Sequence, residues 1–308
     1  MATVPVILDV DTGVDDALAI LLALRSPECD LIGITTVHGN ASLERTTANT
    51  LHVLDAAGAS DIPVVSGAAA PLRRKPYTAT EVHGADGLGD IAATLPKSPR
   101  SAQQGAAEFL VRMARQHSGR LILVATAPLT NVALAIRQNA EAMRALKSIT
   151  IMGGAVRVPG NVGPVTEFNF SVDPEAAAEV LAADLPLRLV SLDVTEQVVL
   201  TPAAIAAGRG KLADFVRKLT ETTFGFHADH ERIEGMFLHD PLALAVALDP
   251  LLVRTEPMHL AVETQGALTA GMVVADQRRR RRAVPNASVC LAVDADRFLR
   301  AFVHRVLE

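Results

Sequence analysis

The sequence predicts an α/β fold: a doubly wound, mostly parallel central sheet with helices on both faces. Three observations predict it. Short apolar runs rich in β-branched residues recur along the chain. Stretches whose apolar positions follow helical spacing lie between them. Polar or turn residues stand where the apolar runs end. Strands that alternate with helices imply a parallel sheet covered on both faces, and its strands read as continuous apolar runs. No internal repeat and no linker interrupts the pattern, so residues 1–308 read as one domain.

The elements follow in order. Val4–Val10 (VPVILDV) is a strand, broken by Asp11-Thr12-Gly13. From Val14 a helix sets Ala17, Leu18, Leu21, Leu22 and Leu24 on one broad face. Leu31–Val37 is a strand, Ser42 to about Ala57 a helix and Ile62–Val65 a strand. Residues 68–100 carry Pro71, Pro76, Pro96 and Pro99 and read as a long functional or mobile loop. A helix over about Ala102–Gln116 and a strand at Leu121–Ala125 resume the alternation. After Pro128 comes a helix, then a strand at Ser148–Met152, a helix after Asp173-Pro174 and a strand at Leu187–Leu192. From Thr201 to about Asp249 the chain is mostly helical, with Pro202 and Pro241 suited to first turns. Short strand-like runs follow Leu251, and a helix over Asp294–Val306 ends the chain.

Ligands of such sheets sit outside the C-terminal strand ends. Asp9, Asp11, Asn40, Thr126, Gly153 and Asp193 all stand at or just after a strand end, and so are expected to face one rim.

Bulk properties narrow the function classes. The chain is 49% hydrophobic and 20% charged, an ordinary globular balance. Its net charge of −5 gives no reason to expect a nucleic acid partner. There is no Trp and one Tyr, so stacking platforms for single strands are not expected. The five arginines Arg278–Arg282 read as a solvated loop or edge rather than a nucleic-acid patch. Cys29 and Cys290 have no CxxC or Cys/His neighbours and read as free, buried thiols. No apolar run reaches a membrane-spanning length, and Met1–Pro5 lacks a basic leader. A soluble, cytoplasmic protein is expected.

The sharpest feature is Asp9-Val10-Asp11-Thr12-Gly13-Val14-Asp15-Asp16: four carboxylates within eight residues, at a strand-to-helix turn. A helix start explains Asp15 and Asp16 through the macrodipole. It does not explain Asp9 and Asp11 at the end of an apolar strand, where converging carboxylates repel unless a cation neutralises them. A hard divalent ion with oxygen ligands answers that repulsion. Asp-x-Asp after a strand also opens the haloacid-dehalogenase phosphatases, whose nucleophile would be Asp9. Gly13 stands where those enzymes place Thr or Val, and none of Lys75, Lys97, Lys147, Lys211 and Lys218 follows a strand suitably.

The opening cluster resembles that of the inosine-uridine-preferring nucleoside hydrolases. Further segments similar to that family occur in its order: Thr35–Asn40, His83–Gly89, Pro128–Asn131, Met152–Ala155, Glu167–Asn169, Asp173–Ala176 and His239–Pro241. The resemblance implies hydrolysis of the N-glycosidic bond of ribonucleosides, with Ca²⁺ held by Asp11, Asp16, the Thr126 carbonyl and Asp240. It implies that Asp11 takes a proton from the attacking water and that His239 assists the departing base. Asp15, Asn169 and Asp240 would hold the ribose hydroxyls, and Asn161 and Glu167 the 5′-hydroxyl. Asn40 would line the water and sugar site, and Met152 and Phe168 would touch the base. The stretch Phe226–Glu234 would cover the base; it lacks the tyrosine of some relatives but offers His227 and His230. Thr12 replaces a common proline, Ala127 a common glycine, and the absence of Trp argues against the purine-specific branch. A homo-oligomer, tetramer or dimer, is implied. A non-catalytic nucleoside or pentose sensor is the remaining alternative; it would not need a water-activating Asp11.

Overall fold

The computed structural model describes residues 3–278, 280 and 283–308. Among the described residues thirteen strands follow one another: β1 Val4–Val10, β2 Cys29–Thr36, β3 Val64–Ser66, β4 Gln103–Gln104, β5 Ile122–Ala125, β6 Ser148–Met152, β7 Leu187–Val190, β8 Val199–Leu200, β9 Met236–Phe237, β10 Val253–Met258, β11 Leu260–Val262, β12 Val273–Ala275 and β13 Ala287–Val293. Nine of them form one sheet in the order β10-β13-β7-β6-β5-β1-β2-β3-β4. All its pairings are parallel except β10 with β13. The small pairs β8-β9 and β11-β12 lie outside it.

The winding fixes where a site can form. From β1 the chain steps outward through β2, β3 and β4, then returns to β5 on the other side of β1. The order reverses between β1 and β5, so their C-terminal ends, at Val10 and Ala125, flank the switch-point crevice.

Alternation along β1 builds two cores. Val6, Leu8 and Val10 join one apolar cluster, with the Val14–Leu24 and His239–Leu248 helices. Ile7 joins the other, with the Ala106–Gln116, Thr130–Arg144 and Pro174–Ala182 helices. Asp9 shares the face of Ile7, as the two-residue period requires. The Val14–Leu24 helix is buried nearly all round, which suits a helix enclosed between the sheet and its neighbours.

Several boundaries differ from the sequence expectation. Before Ala106 the chain makes the edge strand β4 rather than more helix, because Gly105 takes a positive φ of 94° there. The run Leu187–Leu192 stops at Val190, and Leu192–Thr195 turns into a short helix. Cys290 is buried as expected, but Cys29, at the start of β2, is partly exposed; both are free. Of the arginine run, Arg279, Arg281 and Arg282 lie outside the described residues, and Arg278 pairs with Asp276 at 2.8 Å. Among the described residues, no helix is long and apolar enough to cross a membrane.

Candidate active site

A cleft of about 420 Å³ opens over the switch point. Its floor is the turn after β1. There Gly13 N–H donates to Asp16 Oδ2 at 2.9 Å, which closes the first turn of the Val14–Leu24 helix. The other Asp16 oxygen accepts from Thr126 Oγ1, also at 2.9 Å. Asp11 Oδ2 accepts from the Asn40 backbone N–H at 2.6 Å, and Asn40 Nδ2 reaches Asp16 Oδ2 at 3.2 Å. Gly39 permits this approach, since a Cβ there would overlap the Asp11 carboxylate.

Oxygens of Asp15, Asp16 and Asp240 lie within 4.8 Å of one another, and all three residues are buried. Asp240 comes from the first turn of the His239–Leu248 helix, which packs along the Val14–Leu24 helix. Asp11 lies beside this trio, fully buried, and its Oδ1 has no hydrogen-bond partner. Burial, and then the neighbouring carboxylates, drive Asp11 and Asp240 well above the ordinary carboxylate range. Burial, and then Asp15, push Asp16 up to about 6. Asp15 is also raised by burial, and its carboxyl group lies against that of Asp240, an approach that two carboxylates hold only with a shared proton or a cation between them. An orphaned buried oxygen in a group of crowded carboxylates is a donor set that suits a hard divalent cation.

One wall of the cleft is built by Glu167–Asn169. Glu167 Oε1 accepts from Asn169 N–H, and Oε2 from Gly154 and Phe170 N–H, so this carboxylate caps the short Phe168–Val172 helix. Burial pushes Glu167 up to about 7. Asn169 Nδ2 donates to the Thr126 carbonyl at 2.9 Å and lies 3.3 Å from the Met152 carbonyl. Asn161 Oδ1 accepts from Phe168 N–H at 3.0 Å. Of the residues singled out in the sequence, Asp15, Asn40, Thr126, Met152, Asn161, Glu167, Phe168, Asn169, His239 and Asp240 line the cleft. Asp11 and Asp16 sit beneath its floor.

Two carboxylates expected at this rim serve elsewhere. Asp9 Oδ1 accepts from Thr35 Oγ1 and Asn131 Nδ2, and the residue is fully buried on the Ile7 face. A phosphatase nucleophile needs an accessible carboxylate, and Asp9 is not one. Asp193 accepts from the Val156 and Arg157 N–H groups and Ser191 Oγ, so it braces the loop after β6. The pocket wall also holds residues to which the sequence assigned no role. His83 Nδ1 accepts from Val14 N–H at 3.1 Å and lies 3.9 Å from Asp15 Oδ1. Burial pushes His83 down to about 4, so it is neutral. Its only sequence signal was its place in the His83–Gly89 segment. Tyr77 meets the Phe168 ring edge-on at 5.6 Å, and nothing in the loop pattern marked it.

His239 Nδ1 lies 2.8 Å from Thr195 Oγ1. Burial, and then the neighbouring imidazoles of His227 and His83, push His239 down to about 3, so its ring is neutral. His227 also lines the cleft, whereas His230 is exposed and stacks on Phe226.

Residues 6–300 match the family model described as inosine-uridine preferring nucleoside hydrolase. The chain is 38% identical to the pyrimidine-specific ribonucleoside hydrolase RihA of Salmonella typhi, over 98% of each chain. It is 36% identical to the inosine-uridine preferring nucleoside hydrolase of Leishmania major, over 95% of this chain and 94% of the other. Among solved structures, the purine-preferring ribonucleoside hydrolase from Gardnerella vaginalis superposes with a TM-score of 0.92 at 34% identity, covering 98% of each chain. Neither a phosphatase nor a sensor is among these relatives. The chain belongs to the inosine-uridine preferring nucleoside hydrolase family, a family of metal-dependent enzymes, and it is a ribonucleoside hydrolase.

Proposed function

We propose that the enzyme uses Ca²⁺, held by Asp11, Asp16, Asp240 and the Thr126 carbonyl, to cleave ribonucleosides into ribose and free base. The observation that carries this is the set of buried carboxylates around the unpartnered Asp11 Oδ1. When bound, the ion offsets their mutual repulsion and lowers the pKa of water beside it. Asp11 takes the proton of the attacking water, with Oδ2 fixed by the Asn40 N–H and Oδ1 available. Asp15, Asn169 and Asp240 orient the ribose 2′- and 3′-hydroxyls, and Asn161 and Glu167 the 5′-hydroxyl. Asn40 lines the water and sugar site. The carboxylates favour the positive charge that develops on the sugar as the bond to the base breaks. Phe168 and Met152 pack on the base. His239, as a neutral ring, assists by donating a hydrogen bond from Nε2 while the Thr195 hydroxyl donates to Nδ1.

Residues 1–308 form a single catalytic unit on this reading. We further read the protein as a cytoplasmic homo-oligomer, dimer or tetramer, acting in purine or pyrimidine salvage. The relatives span pyrimidine-specific, uridine and purine-preferring names, so the preferred base is set by experiment. Ribose release from a panel of nucleosides, with and without a calcium chelator, tests the mechanism. Chelation should abolish release, Ca²⁺ should restore it, and Asp11→Ala should lose at least about 10³-fold in kcat. Chelator-insensitive turnover would overturn the metal reading, and an active Asp11→Ala would overturn the role of Asp11.

A further inference from the structure

We propose that His227, held by Glu231, delivers the proton to the departing base. The proposal rests on the hydrolase reading and assigns a further catalytic residue within that site.

His227 is 5% exposed and lines the cleft, on the short π-helical turn His227–Glu231. Its Nδ1 lies 2.7 Å from Glu231 Oε2. A carboxylate only accepts, so Nδ1 carries the proton of this contact, and Nε2 is left to face the cleft. Phe237 packs against both candidate donors. Its ring meets His227 edge-on with centroids 5.5 Å apart, and its centroid lies 5.5 Å from that of His239. A base seated against Phe237 is therefore within reach of both imidazoles.

The two rings differ in what they can give. His239 has a hydroxyl at Nδ1 and is buried beside other histidines. A hydroxyl at Nδ1 does not favour a second proton on the ring as a carboxylate does, so His239 offers a hydrogen bond and is the weaker proton donor. His227 has a carboxylate at Nδ1. Doubly protonated, it donates Nδ1–H to Glu231 and presents Nε2–H to the base, and the negative partner stays in place after transfer. Asp15 of the N-terminal turn, His83 of the Thr80–His83 helix and His239 are the titratable groups that face it from other elements. Glu196 stands beyond Glu231.

The step balances. The proton on His227 Nε2 passes to the base as the C1′–N bond breaks and its electron pair stays with the base. Water oxygen bonds to C1′ and its proton passes to Asp11. Solvent returns a proton to His227 past Glu231, whose side chain is 31% exposed, and removes one from Asp11. Glu231 acts as a positioning residue.

Cleavage of inosine and uridine is compared with that of 4-nitrophenyl β-ribofuranoside, whose leaving group needs no protonation. His227→Gln should lose about 10²–10⁴-fold in kcat on the nucleosides, the span of general acid catalysis, and stay within about tenfold on the activated riboside. Retained riboside cleavage also shows that the variant folds. Glu231→Gln keeps an acceptor at Nδ1 and loses the charge; it should lose about 10-fold on nucleosides and shift the basic limb of their pH profile to lower pH. An equal fall on both substrates, or none on the nucleosides, would overturn the role of His227. Wild-type behaviour of Glu231→Gln would overturn the dyad. Wild-type protein that cleaves neither substrate would instead sink the hydrolase mechanism on which the proposal stands.

Discussion

Asn131 should be worth more to this fold than its place in a short polar segment suggests. It is fully buried, and it ties three elements together. Nδ2 donates to Asp9 Oδ1 at 2.8 Å and to the Thr36 carbonyl at 3.0 Å, while Oδ1 accepts from Ala68 N–H at 2.9 Å. In Asn131→Ala the partners are not affected equally. The Thr36 carbonyl keeps the Gly67 N–H at 2.9 Å. The Ala68 N–H loses its acceptor, and Asp9 keeps Thr35 alone while its Oδ2 is already unpartnered. At about 1–3 kcal/mol for each buried polar group left unsatisfied, the two injured partners amount to about 4 kcal/mol. Unfolding entropy of about 2.1 cal/mol/K per residue gives about 0.65 kcal/mol/K for this chain, so Tm should fall by about 6 K. Scanning calorimetry at neutral pH measures it, with Asn131→Asp as a companion. That variant keeps an acceptor for Ala68 but sets a second carboxylate against Asp9, and should be the less stable of the two. A fall of under about 1 K for Asn131→Ala would refute the reasoning, since it would mean that water or relaxation satisfies both partners.

Two further outcomes follow from the same geometry. His38 is 1% exposed, its Nδ1 has no partner, and its Nε2 lies 3.2 Å from Thr130 Oγ1, whose own hydrogen goes to Asp173 at 2.6 Å. The ring is therefore the neutral Nε2–H tautomer, and burial pushes it from 6.5 down to about 4. A base depressed on folding stabilises fully above its unfolded pKa, and that contribution is lost as pH falls toward the folded value. From pH 7 to 5 the wild type should lose about 2 kcal/mol, or about 3 K, that His38→Gln does not lose; a wild-type-to-variant gap independent of pH would refute it. Gly39→Ala should push the Asp11 carboxylate off the Asn40 N–H and lower kcat about 10²-fold, with weaker metal binding and a similar far-ultraviolet spectrum. Unchanged kcat would show that Asp11 tolerates displacement.

The sheet was legible because every buried strand had to be written in apolar, β-branched residues. The strand ends were legible because turns such as Asp11–Gly13 mark where the apolar runs stop, but the switch point between β1 and β5 was not, since strand order is not written in any local pattern. Asp11, Asp15 and Asp16 were readable as a group because one turn carries all three. Asp240, more than two hundred residues later, was not readable from spacing; it came through likeness to a family. Asp9 and Asp193 show the converse failure. Both stand at strand ends, but side-chain direction depends on the register of the strand and on partners far along the chain. The period of two sends Asp9 to Thr35 and Asn131, and a short helix no pattern announced turns Asp193 to the loop after β6. His83 and Tyr77 lay in the proline-rich loop, where no periodicity tells wall from solvent. The Thr195 partner of His239 needed the three-dimensional structure.

The charge at the floor of the cleft sets how these parts work together. The Val14–Leu24 and His239–Leu248 helices both begin there, with Asp15, Asp16 and Asp240 in their first turns. Each N-terminus contributes about half a positive charge, together about +1. Four carboxylates at Asp11, Asp15, Asp16 and Asp240 present −4 when ionised. Helix dipoles alone leave an excess of negative charge, in line with the push that neighbouring carboxylates add to burial at Asp11, Asp16 and Asp240. On the proposed reading a divalent ion reduces that excess to about −1. Full neutrality would hold a neutral nucleoside as well as it holds the cationic sugar of the transition state. A remainder near −1 favours the latter, which is the differential binding that raises kcat. The site should therefore tolerate loss of a hydroxyl contact better than the addition of one positive side chain near Asp15.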